Sequence, residues 1–147
     1  MKLSTRGRYG VRALLELALH YGEGPVLIKD IAASQEISQH YLEQIVIALK
    51  ASGLVKSIRG AKGGIALAKL PSQIRLDEAL QVLEGSTAPV ECVDNARACS
   101  RSSFCVTRDV WNELKKAMNG VLESMTLQDL VERQRRKEKV EAVMYNI

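Results

Sequence analysis

The order of segments between residues 28 and 68 constrains this chain most: two short apolar-striped stretches, a three-residue break, then two short β-type runs hinged on glycine. Residues 28–35 put Ile31 and Ala32 on one side of a short helix, and Glu36-Ile37-Ser38 interrupts it. Ser38 is a good N-cap. Leu42, Ile45, Val46 and Leu49 then share one face of a helix of about four turns, ending before Gly53, which can supply a left-handed position past the C-terminus. Two helices joined by so short a turn have helix-turn-helix spacing. The second leaves Ser38, Gln39, His40, Tyr41, Glu43 and Gln44 away from its apolar face, and such groups can read base edges.

Residues 54–58 and 65–68 read as two strands joined by Arg59-Gly-Ala-Lys-Gly-Gly64, where glycine permits a tight reversal. The hairpin is a candidate wing, with Arg59, Gly60 and Lys62 at a tip able to meet phosphate or enter a minor groove. Taken singly, His40 and Gln39 are also ordinary exposed helix residues, and the hairpin is also just a hairpin. The glycines do not make a nucleotide loop, because the Gly-Lys-Ser/Thr ending is missing and no helix follows. Upstream, residues 5–21 form a helix with Val11, Leu14, Leu15, Ala18 and Leu19 as its stripe, closed by Gly22-Glu-Gly24-Pro25. The fold class expected is mainly α with a small β-hairpin: a winged helix-turn-helix domain plus a long C-terminal dimerisation helix.

Charge fits that reading. Residues 1–75 hold 11 Lys and Arg against 5 Asp and Glu, whereas residues 76–147 hold 10 against 12. A basic first half suits a polyanion such as double-stranded DNA, though basic faces also serve as plain solvated surface. Lys2, Arg6, Arg8 and Arg12 precede an apolar stretch, but Glu16 splits it and no cleavage site follows, so no signal peptide or membrane association is expected and the cytoplasm is the expected location.

The second half is expected to start with a short helix over 77–84 and a loop over 85–89. Cys92, Cys99 and Cys105 follow, spaced Cys-x6-Cys-x5-Cys in a polar segment without apolar periodicity, so they read as presented rather than buried. Three thiolates this close suit zinc or an iron-sulfur cluster, and three unligated thiols also fit the spacing. The missing CxxC pair and nearby histidine weigh against structural zinc. Val110, Leu114, Ala117, Met118, Val121, Leu122 and Met125 then stripe a helix over 108–124, long enough to want either core or a partner helix from a second subunit. Thr126 with Asp129 resembles a capping box for a last short helix, before Arg133 to Lys139 begin a charged, mobile tail. The division expected is 1–75 for DNA binding, 76–134 for the cysteine loop and dimerisation helices, and 135–147 for the tail. With only His20 and His40, and no nucleophile beside either, catalysis is not expected.

Met1-Lys-Leu-Ser-Thr-Arg-Gly-Arg-Tyr9, Ile37-Ser with Tyr41-Leu-Glu-Gln44, Val55 through Gly64, and Thr126-Leu-Gln-Asp-Leu130 together resemble the bacterial winged-helix family that contains the iron-sulfur regulator IscR, the nitric-oxide sensor NsrR and the cysteine-metabolism repressor CymR. The resemblance covers nearly the whole chain. It implies a homodimer with the third helix in the major groove, the wing at the adjacent minor groove, and the long helix crossing its mate. Cys92, Cys99 and Cys105 match the triplet of the cluster-binding members, which the cysteine-metabolism repressors lack, implying an iron-sulfur cluster, 2Fe-2S ahead of 4Fe-4S. Two features depart from the pattern: the first gap is one residue longer than usual, and Arg108 stands where IscR-like members place a histidine. Arg8 likewise replaces the carboxylate that NsrR-like members recruit from the first helix. Glu91, Asp94 and Asp109 are the nearby oxygen donors, and the fourth ligand stays open. The function implied is a repressor of iron-sulfur assembly genes controlled by its cluster. The alternatives are a nitric-oxide or redox-sensing repressor, or a winged-helix module for protein interaction or electron transfer.

Overall fold

The computed structural model describes residues 2–146. Helices α1 (Thr5–Leu19), α2 (Ile28–Gln35) and α3 (Gln39–Ala51) lead into strands β1 (Val55–Ile58) and β2 (Gly64–Leu67). A 3-10 turn at Pro71–Gln73 precedes α4 (Leu76–Glu84). The cysteine segment, expected as loop, holds one helical turn, α5 (Glu91–Asp94), and a 3-10 turn (Ala96–Ala98). Helices α6 (Val106–Glu123) and α7 (Leu127–Tyr145) close the chain. The architecture is the expected mainly helical winged helix-turn-helix with one antiparallel hairpin.

The Ser4 hydroxyl starts α1 by accepting the Gly7 N–H at 3.0 Å. The helix buries Leu14 and Ala18 of the expected stripe, and also Gly7, Gly10, Ala13 and Leu17, while Val11, Leu15 and Leu19 are half-buried. The glycines are there because α4 lies against them: a Cβ on Gly10 would stand 2.5 Å from the Leu83 methyls, and one on Gly7 would collide with the Glu84 carboxylate. That carboxylate accepts the Ser4 N–H at 2.8 Å.

Between α2 and α3 the chain reverses at Glu36, which takes a left-handed φ of 54° that non-glycine residues seldom adopt. The reversal drops Ile37 into the core and lets Ser38 cap α3 by accepting the Tyr41 N–H at 3.3 Å. In the hairpin Val55 pairs with Leu67 and Ile58 with Gly64. Val26 adds a short third rung by exchanging two 2.8 Å backbone bonds with Ile65. A Cβ on Gly64 would stand 2.5 Å from the Val26 carbonyl oxygen, so glycine is needed for that approach.

The core does not stop at residue 75. Leu76, Ala79 and Leu83 of α4, with Leu127 and Val131 of α7, join Leu14, Ile31, Leu42, Ile45 and Leu49 in one cluster. A backbone clasp holds this closure: the Leu76 N–H donates to the Met125 carbonyl and the Leu127 N–H to the Ile74 carbonyl, both at 2.9 Å. By contrast α6 buries none of its residues.

The charged tail expected over 135–147 is corrected: α7 runs unbroken through Tyr145. The Thr126–Asp129 capping box opens it, Glu, Gln, Lys and Arg are good helix formers, and Gln134 donates to Glu138 one turn on at 2.9 Å. Among the described residues no helix is long and apolar enough to cross a membrane.

Candidate nucleic-acid interface and cysteine segment

Because α3 buries Leu42, Ile45, Val46 and Leu49, its other side faces solvent. Gln39, His40 and Gln44 are exposed there, and Glu43 is half-buried and accepts a 3.2 Å hydrogen bond from the Gln39 amide. Ser38 is exposed, but its hydroxyl is engaged as the cap. Tyr41 is half-buried, its ring edge-on to Tyr9 with centroids 6.0 Å apart, and the Arg12 guanidinium lies 5.4 Å from the Tyr9 ring centroid. Tyr41 thus ties α3 to α1 through its ring. A groove runs between α3 and the hairpin, lined by Lys29, Gln39, Glu43, Ser57 and Ile58 among others.

At the hairpin tip Arg59, Gly60 and Lys62 are exposed. Gly60 has φ 116° and its carbonyl accepts the Gly63 N–H at 3.0 Å, closing the turn. Among the described residues neither Arg59 nor Lys62 makes an ion pair, so both charges are available to an outside anion.

The cysteine segment is fastened along α6 by polar contacts. The Arg108 Nε donates to the Cys92 carbonyl at 2.8 Å, Lys115 pairs with Asp94 at 2.6 Å, and the Thr87 hydroxyl donates to the Asn119 side-chain oxygen at 2.7 Å. Lys115 holds the Asp94 carboxyl below its ordinary range, with Ser86 assisting. Cys92 and Cys105 are half-buried and Cys99 is exposed. Cys105 precedes the first turn of α6 with its sulfur 3.1 Å from the Thr107 hydroxyl; this contact first, then the Arg108 backbone N–H, lowers its thiol pKa. Among the described residues no three His, Cys, Asp or Glu side chains converge to hold a metal ion. The donors are chemically suited to an iron-sulfur cluster, being three thiols with one biased toward thiolate, but they lie along one segment without meeting. Arg108 supplies no fourth donor; it clamps the segment to α6.

Two exposed α3 residues escaped the sequence reading, Ile47 and Lys50, together with Lys29 in the groove. Ile47 interrupts the polar face, so apolar periodicity offers no reason to single it out. His20, expected on a core helix, sits just past α1, exposed, with its ring nitrogens 2.7 Å from Glu23 and 3.4 Å from Glu16.

A family model described as "Rrf2: Iron-dependent Transcriptional regulator" matches residues 3–133. The chain belongs to the Rrf2 family. It is 45% identical over 131 residues to Protein rrf2 of Nitratidesulfovibrio vulgaris, spanning 89% of this chain and 87% of that one. It is 44% identical over 130 residues to the HTH-type transcriptional regulator CymR of Bacillus subtilis, covering 88% of this chain and 89% of the relative. Among solved structures, T. potens IscR is similar, with a TM-score of 0.77, 43% identity, and coverage of 91% and 88% of the two chains. As an Rrf2 protein this chain is a DNA-binding transcriptional regulator and not an enzyme. The Rrf2 match ends at residue 133, so most of the solvent-exposed end of α7 lies beyond it.

Proposed function

We propose that the chain binds operator DNA as a homodimer in the cytoplasm. In this reading α3 enters the major groove and the hairpin tip lies at the adjoining minor groove. One observation carries it: Arg59 and Lys62 stand exposed and unpaired next to a groove whose opposite wall is the polar face of α3. Gln39, His40, Glu43 and Gln44 would meet base edges, Ser38 and Tyr41 the backbone, and Arg59, Gly60 and Lys62 phosphates or the minor-groove floor. The exposed apolar stripe of α6 supports the dimer, since Val110 and Val121 have no cover within the chain.

Cys92, Cys99 and Cys105 would hold an iron-sulfur cluster, 2Fe-2S before 4Fe-4S, and repression of iron-sulfur assembly genes is the output this favours. When bound, the group supplies a redox-labile tie among three thiolates. The chain's own part is mechanical. Arg108, Lys115 and Asn119 couple the cysteine segment to α6, so ordering of that segment bears on the helix that joins two winged-helix heads. A coupling of about 1–3 kcal/mol shifts DNA affinity roughly 5- to 150-fold. A second reading, a regulator without a cluster, is favoured by the 44% identity to CymR and by thiols that do not converge.

Anaerobic purification, reconstitution with iron and sulfide, and gel retention of genomic fragments separate these readings. The first expects visible-region absorption, bound iron and a DNA affinity at least about 5-fold different from the iron-free protein. Colourless, iron-free protein that still retains DNA supports the second. Protein that retains no fragment at low ionic strength contradicts both.

A further inference from the structure

Ile47 is the one large apolar side chain that α3 leaves exposed, at 61% of its full accessible surface. It follows Gln44 by three residues, Glu43 by four and His40 by seven, so all four share one side of the helix. That side lies opposite Leu42, Ile45, Val46 and Leu49, so Ile47 stands near the middle of the outward face. In the free chain nothing justifies a β-branched aliphatic there. It propagates helix less well than alanine or lysine and gains no burial.

The major groove displays donors, acceptors and a single kind of apolar group, the C5-methyl of thymine. Polar neighbours on α3 can take the donors and acceptors, but only Ile47 offers an aliphatic surface to the methyl. We infer that Ile47 is a specificity-determining residue that selects thymine in each operator half-site by packing against its C5-methyl. This rests on the reading that α3 enters the major groove. Lys50, exposed one turn further on, is placed to meet a flanking phosphate rather than a base.

The methyl can be removed without altering any Watson–Crick group. The full-length protein first selects an operator from a random duplex pool, and each thymine is then replaced singly, in both half-sites, by deoxyuridine. One position is expected to weaken binding about 4-fold per half-site, the worth of a buried methyl. Ile47→Ala is expected to bind the thymine operator about 4- to 10-fold more weakly, to fold as the parent does because the site is exposed, and to be indifferent to uridine at that position. Ile47→Val keeps most of the methyl dependence. The inference is overturned if no uridine substitution matters, if Ile47→Ala is as sensitive to uridine as the parent, or if Ile47→Ala loses no affinity. Failure of the parent protein to select any duplex contradicts the DNA reading itself and takes this inference with it. Selection of a duplex, followed by indifference to the methyl, leaves the DNA reading standing and removes only Ile47's part.

Discussion

α3 and α6 are both amphipathic, yet α3 buries four apolar side chains in 13 residues whereas α6 buries none in 18. The same contrast runs through the halves they belong to. Around α3, glycines let helices close on one another, a backbone clasp seals α4 against α7, and no buried side-chain polar atom lacks a partner among the described residues. Along α6 the contacts to the cysteine segment are polar and near the surface. An apolar stripe in a sequence therefore states that a face wants cover, without saying whether the cover comes from the same chain.

The sharpest way to break this contrast is to truncate a side chain on each helix. Leu42→Ala, at a fully buried position, should cost about 3–5 kcal/mol in denaturant unfolding. Val121→Ala should leave the unfolding of the separated chain within about 0.5 kcal/mol while weakening self-association in sedimentation. Equal losses at the two sites would erase the distinction.

Glycine gives a test in which the two regions should answer with opposite sign. Gly10→Ala inserts a methyl into Leu83 and should destabilise by about 1–3 kcal/mol despite the better helix former. Gly120→Ala on α6 meets nothing within 4 Å and should stabilise by about 0.5–1 kcal/mol. A gain at both positions would mean that α1 and α4 are less tightly closed than described.

A smaller effect belongs to the fastening of the cysteine segment. Arg108→Ala removes the hydrogen bond to the Cys92 carbonyl and should cost about 1 kcal/mol, visible as faster amide exchange over residues 91–105 with the core unchanged. Unaltered exchange there would show that Lys115 and Asn119 suffice.

The smallest concerns His20, whose pKa is raised first by its hydrogen bond to Glu23, with Glu16 and Glu23 adding charge attraction. A raised folded-state pKa means stability present below the unfolded value near 6.5 and lost as pH rises through the folded one. The ring is half exposed, so the contribution is only about 0.3 kcal/mol. His20→Gln should flatten the pH dependence of stability above pH 6.5 by that amount, and a steeper profile in the variant would contradict the sign.

The winged helix was legible because its signals are local: Ser38 caps, Gly53 takes φ 80° just beyond α3, and the stripes of α1 to α3 mark the faces that are buried. Pairing at a distance was not. Val26 against Ile65 and Arg75 against Thr126 join residues far apart in sequence, and nothing in either partner announces the other. The length of α7 was hidden because a charged run lacks an apolar stripe, although its capping box and i, i+4 contacts sustain the helix. Cys92, Cys99 and Cys105 were visible as a group in the sequence, yet their spacing carries no instruction for bringing the sulfurs together, and the chain alone leaves them apart. Ile47 stayed unnoticed for the opposite reason, since a residue that serves a partner departs from the pattern that serves the core.

The claim on which the functional account turns is that α3 and the hairpin tip grip duplex DNA together. The decisive measurement is the affinity of the full-length protein for its selected operator across a salt series, parent against Arg59→Ala with Lys62→Ala. The account predicts weaker binding and a log–log salt slope shallower by about 2, one for each lost phosphate contact. An unchanged slope and affinity in the double variant would contradict it.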